Sequence, residues 1–191
     1  PLYFQTPYIF YEKCLFRFLD RKSKVLEIGS GTGNFTTSIL KTGTKLLATD
    51  ISSKALEVLK ARNEEFNNLK TEVADMELLP FKQKFDVVCS AGSLSYGNTD
   101  KVLNEIKKVL KEGGLFICID SLNNNPIYRL NRFLAFIRGK RTRATLKQMP
   151  TILSLQKYEE VFEILELRYF GSISWLCTIL SIFCKQEFLV K

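Results

Sequence analysis

The residues best suited to chemistry in this 191-residue chain fall in one stretch, KVLEIGSGTGNFTTSILKTGTKLLATD, from Lys24 to Asp50. Gly29, Gly31 and Gly33 follow directly on an apolar run from Val25 to Ile28. Glycines so placed let the backbone take positive φ and let a ligand approach where a Cβ would collide. A turn that leaves the carboxyl end of a strand and opens a helix also presents unpaired N–H groups. Asp50 stands 21 positions beyond Gly29, at the end of the next apolar run. An acidic side chain there can take both hydroxyls of a ribose. The stretch reads as a nucleoside-binding turn. The dinucleotide fingerprint G-x-G-x-x-G does not fit, because Asn34 stands where its third glycine would be. Glu27, just before the first glycine, is badly placed for a pyrophosphate and well placed for a cationic ligand.

The elements that must position these residues are legible as alternating strands and helices. Strands are expected at Lys24–Ile28, Lys45–Thr49, Lys70–Ala74, Phe85–Cys89 and Leu115–Ile119. Between them, helices are expected over 34–41, from a Ser52 or Ser53 cap to about Phe66, and from a Thr99 or Asp100 cap to Lys111, stopped by Gly113-Gly114. Apolar strands without alternation describe a parallel sheet covered on both faces. Thr6-Pro7 reads as the start of an aromatic-rich helix to Leu19 that covers one sheet edge.

Composition is that of an ordinary globular domain, 46% apolar and 25% charged, of a size that buries a real core. No apolar run reaches the length of a membrane span; the longest, Ile173 to Cys184, has twelve residues. Five cysteines form no C-x-x-C pair, and there is no histidine, so no metal site is expected. An odd cysteine count without a secretory leader points to a reducing compartment, most simply the cytoplasm.

EIGSGTG at 27–33 matches the motif E/D-x-G-x-G-x-G and so resembles the class I S-adenosylmethionine-dependent methyltransferases. Three further blocks resemble that family in order: VADMELLPF at 73–81, FDVVCSAGSLSY at 85–96 and LKEGGLFICID at 110–120. The resemblance implies an enzyme with a doubly wound, mostly parallel α/β sheet of seven strands in the order 3-2-1-4-5-7-6. Strand six would be Ile164–Phe170 and the terminal strand Glu187–Val190, with an apolar segment containing Trp175 between them. It implies S-adenosylmethionine as cofactor, held by Glu27, Gly29, Ser30, Gly31, Gly33, Asp50, Ile51, Asp75, Met76 and Ser90. In that reading Asp75 meets the adenine amine and Met76 lies against the ring. An N-terminal segment often closes over the cofactor in this family, which adds Tyr11. One domain over 1–191 is expected, with 1–23 as a helical cover and 121–158 as a lid inserted after strand five.

That insertion carries the charge. From Ser121 to Tyr158 there are eight basic residues and no acidic one, so the rest of the chain is balanced and the net +8 resides there. Ile127, Leu130, Leu134 and Ile137 fall at helical spacing, Gly139 ends the helix, and KRTRATLKQMP reads as a loop. A solvated lid and an anion-reading substrate lid are both open, with nucleic-acid binding behind them. Contact with a membrane surface ranks last.

Ser90-Ala91-Gly92-Ser93 stands where many amino methyltransferases carry D/N-P-P-Y/F, and no Pro-Cys pair is present. An oxygen acceptor on an anionic or sugar-like metabolite, phosphorylated or nucleotide-linked, is therefore favoured. Tyr96, Tyr128 and Arg129 are the candidates beside it. An RNA methyltransferase using the basic lid and a non-catalytic cofactor-binding partner subunit are the alternatives.

Overall fold

The computed structural model describes residues 2–139 and 142–170, the side chains at 2–5, 127, 128, 144 and 145 excepted. Its strands are β1 Lys24–Ile28, β2 Lys45–Asp50, β3 Leu69–Val73, β4 Phe85–Ala91 and β5 Leu110–Ile119. They form one parallel sheet in the order β3-β2-β1-β4-β5, with β1 central and Val25 registered against both Leu46 and Val87. The reversal of strand order beside β1 opens a crevice at the carboxyl edge, where open α/β sheets bind ligands.

Helices α1 Leu2–Phe18, α2 Thr36–Lys41, α3 Ser53–Ala61, α4 Thr99–Val109, α5 Pro126–Ile137, α6 Arg143–Gln148 and α7 Leu155–Val161 complete the described chain. Strand residues alternate between two cores. Val25, Leu46, Val87 and Cys89 pack with Tyr11 and Leu15 of α1 and Ile39 and Leu40 of α2. Leu26, Ile28, Leu47 and Val88 pack on the other face with Val102, Leu103 and Ile106 of α4 and Tyr158 of α7. Leu56 and Leu59 of α3 close on Ala48. Each large apolar side chain so buried contributes about 1.5–3 kcal/mol relative to exposure.

Several boundaries differ from expectation. Pro7 lies inside α1 and does not begin it. The hydrogen bond lost at Pro7 is offset by burial of Tyr11, Leu15 and Leu19. Helix α3 stops at Ala61 because Asn63 turns in, donating from Nδ2 to the Leu59 carbonyl at 2.8 Å and accepting from Thr37 Oγ1 at 2.7 Å. Asn98, not Thr99 or Asp100, caps α4 by accepting from the Lys101 N–H. Helix α4 ends at Val109, short of the glycine pair. Gly113 and Gly114 instead sit in a bulge of β5, between the Phe85–Leu110 and Val87–Leu115 pairs. The expected loop after Gly139 contains α6, built from good helix formers. Ile164–Phe170 has no regular structure, so the expected strand six is not formed there, and Ile164 packs against the core while Leu165 and Leu167 are exposed. Glu187–Val190 and the Trp175 segment lie outside the described residues.

Candidate cofactor site

The glycine turn leaves β1 and passes under the β4 edge. Gly29 has φ +61, and a Cβ built there would lie 2.4 Å from the Ser93 Cβ, so only glycine fits. Gly31 has φ +54 and nothing within 4 Å of the place a Cβ would occupy: its outer face is open. Gly33 approaches Leu59 of α3 and joins the turn to that helix. Ser93 Oγ donates to the Ile28 carbonyl at 3.2 Å and pairs with Ser90 Oγ at 2.8 Å. Ser90 is thereby committed to the β1–β4 join.

Asp50, ending β2, accepts the Gly31 N–H on Oδ2 at 2.8 Å and the Ser52 N–H on Oδ1 at 2.9 Å. Each oxygen keeps a second acceptor lobe. Ser30 holds the turn through its N–H to the Thr49 carbonyl, 2.9 Å, while its Oγ is buried with no hydrogen-bond partner. A buried hydroxyl left unpaired beside an open glycine is what a polar ligand would satisfy.

Asp75 and Met76 follow β3. Asp75 is exposed, and its Oδ1 accepts the Glu77 N–H at 2.8 Å. Met76 is half-buried against Gly97, and Glu77 accepts the Asn98 N–H at 2.7 Å, so the loops after β3 and β4 meet. Ile51 is 72% exposed directly after Asp50. The turn, Asp50, Ile51, Asp75 and Met76 thus share the carboxyl edge of the sheet, which a nucleoside needs.

Two expected ligands sit deeper. Glu27 is 3% exposed and accepts from Thr36 Oγ1 at 2.6 Å. Burial pushes its carboxyl up to about 7, against the downward pull of Thr36. The Tyr11 hydroxyl is buried without a hydrogen-bond partner, and burial raises it well above the ordinary tyrosine range. Tyr11 packs edge-on to Phe35 at 5.3 Å, so α1 covers the start of α2.

On the acceptor side, Tyr96 is 65% exposed on a single 3-10 turn, Leu94–Tyr96, after β4. Arg129 is exposed in the first turn of α5, and the side chain of Tyr128 lies outside those described. Asp120, not among the expected ligands, directly follows β5 and is half-buried. Its Oδ2 accepts the Leu94 N–H at 2.9 Å and Oδ1 the Ser121 N–H at 2.7 Å. Burial raises its carboxyl, opposed by those N–H groups and by Arg132. Its signal was available: like Asp50, it is a carboxylate directly after an apolar run. Among the described residues no group of three His, Cys, Asp or Glu could hold a metal.

The sheet order β3-β2-β1-β4-β5 with a glycine turn after β1 is that of the class I, Rossmann-like fold. The chain belongs to a family of methyltransferase domains, whose model matches residues 19–165. Among curated proteins it is 36% identical over 122 residues to a sterol 4-C-methyltransferase of Caenorhabditis elegans, covering 60% of this chain and 36% of that protein. It is 33% identical over 113 residues to a demethylmenaquinone methyltransferase of Tropheryma whipplei, covering 56% and 47%. The chain thus spans less than half the length of these relatives. Among solved structures, the YcgJ protein of Bacillus subtilis superposes with a TM-score of 0.66 at 19% identity, over 80% of this chain and 67% of that one. The glycopeptide N-methyltransferase MtfA, complexed with S-adenosyl-L-methionine, superposes at 0.54 with 19% identity, over 60% and 54%.

Proposed function

We propose that this chain binds S-adenosylmethionine at the carboxyl edge of β1, β2 and β3 and methylates a small apolar acceptor. Asp50 carries the reading. Its two oxygens are fixed by backbone N–H groups at 2.8 and 2.9 Å and each retains a lobe for a ribose hydroxyl. Open space at Gly31 admits the ligand, and the unpaired Ser30 Oγ offers it a polar partner. Asp75 is assigned to the adenine amine, with Ile51 and Met76 on the ring faces. Glu27 supplies negative potential beneath the turn in its ionised form, as pH rises above about 7.

S-adenosylmethionine, when bound, supplies a methyl group already activated on a sulfonium sulfur. The chain's own share is to align the acceptor, exclude water and receive a proton where the acceptor has one to lose. Tyr96, Tyr128 and Arg129 are assigned to the acceptor side. The chain contains no histidine base. An oxygen acceptor that ionises readily, such as a phenolic hydroxyl, asks least of such a site.

The apolar class of acceptor is supported by the names of the relatives, which act on a sterol and on demethylmenaquinone. The eight basic residues of 121–158 support instead an anionic or sugar-like acceptor. Incubation of the protein with methyl-labelled S-adenosylmethionine and a cell extract, followed by partition between organic solvent and water, separates the two. Label in the organic phase is expected. Label only in the aqueous phase favours the anionic acceptor, and no transfer into either would contradict the enzymatic reading.

A further inference from the structure

Helix α5 is packed the wrong way round for a protein that meets only water. Leu130, Phe133, Leu134 and Ile137 recur at helical spacing and form one stripe, yet they are 57, 51, 37 and 64% exposed. A surface helix ordinarily turns such a stripe to the core. Here the opposite side faces in: Arg132 is half-buried, and its guanidinium donates to the Leu122 carbonyl and to Asn123 Oδ1, both at 3.0 Å. At roughly 100° per residue, Arg129 and Arg138 fall on the two flanks of the apolar stripe.

Charge says what covers it. Arg129, Arg138, Arg143 and Lys147 make no ion pair among the described residues, and 121–158 holds no acidic side chain that could. Lys157 pairs with Asp100. A protein partner or a second copy of this chain would bring mixed charges to so basic a rim. A nucleic acid would answer the charge but leave the aliphatic stripe in water. An anionic lipid surface answers both, since aliphatic side chains enter the acyl boundary while flanking arginines reach the headgroups. No described helix is long and apolar enough to cross a bilayer; the contact proposed is with its surface.

We infer that α5 docks this protein on an anionic membrane surface through Leu130, Phe133, Leu134 and Ile137, with the flanking Arg138 at the headgroups. This goes beyond the methyltransferase reading and does not depend on it. The test is co-sedimentation of the full chain with phosphatidylcholine vesicles, with and without phosphatidylserine, in low and moderate salt. Binding should require phosphatidylserine and weaken with salt. Leu130→Ser/Ile137→Ser should lose binding by at least about tenfold, and Arg138→Gln/Arg143→Gln by roughly tenfold or more. Both pairs are exposed, and unchanged thermal unfolding would show that the fold survives. Failure to sediment with either vesicle would overturn the proposal. So would full retention by Leu130→Ser/Ile137→Ser, or binding of structured RNA with vesicles ignored, which would make the helix a nucleic-acid surface. Cofactor titration of the same variants is expected to match wild type, so the two readings fail separately.

Discussion

Gly29 and Gly31 have nearly the same φ, +61 and +54, and answer different demands. A Cβ at Gly29 would collide with Ser93, whereas one at Gly31 would meet only open space. Gly29→Ala is therefore expected to destabilise by about 2–5 kcal/mol, combining left-handed strain and overpacking. Gly31→Ala is expected to cost only about 1–2 kcal/mol while losing most affinity for the cofactor. Urea unfolding of both, alongside a binding titration, checks this; equal stabilities would contradict it. Glu27 gives a pH signature. Its carboxyl rises from the ordinary 4.5 to about 7 on burial, so the folded state holds that proton more tightly than the unfolded chain. Stability from this group is complete below about pH 4.5 and declines by ~3 kcal/mol as pH rises through about 7. Glu27→Gln is expected to flatten that slope in thermal unfolding and to weaken binding of a cationic ligand. Residue type and spacing placed Asp50 and Asp75 at the carboxyl ends of β2 and β3, where the structure has them. They did not reveal that Glu27 faces Thr36 inside the protein, since β1 is buried on both faces and sequence does not say what lies against each.

At the scale of elements, Asp120 joins β5 to the turn after β4. Removing its acceptors leaves the Leu94 and Ser121 N–H groups unpaired, at a cost of about 1–3 kcal/mol. Asp120→Ala is expected to lower stability by that amount and to speed hydrogen exchange at Leu94. Unchanged exchange there would detach Asp120 from the turn. The central strands β1, β2 and β4 were readable because a parallel strand covered on both faces is largely apolar, whereas β3, at the sheet edge, carries Lys70, Thr71 and Glu72. Helix ends were not, because particular side-chain bonds set them: Asn63 stops α3 and Asn98 starts α4. Ile164–Phe170 shows another limit of pattern reading. Its apolar residues suit a strand, but a strand needs a ladder, and the expected partner at Glu187–Val190 lies outside the described residues.

For the whole molecule, the division of labour follows charge. The excess of +8 resides in 121–158, while the sheet and its carboxyl edge belong to a balanced remainder. Composition showed where the charge was, and spacing showed an apolar stripe within it. Which way that stripe turned depended on Arg132 finding the Leu122 carbonyl, a contact no periodicity predicts. The cofactor edge is the part on which everything else rests, and calorimetric titration tests it most directly. Wild type and Asp50→Ala would each be titrated with S-adenosylmethionine and with its demethylated product. Binding to wild type is expected, and losing the charged contacts to the ribose should weaken it by roughly 1.5–3 kcal/mol, about ten- to a hundredfold. No heat of binding to wild type, or equal affinity in Asp50→Ala, would contradict the placement of the cofactor at this edge.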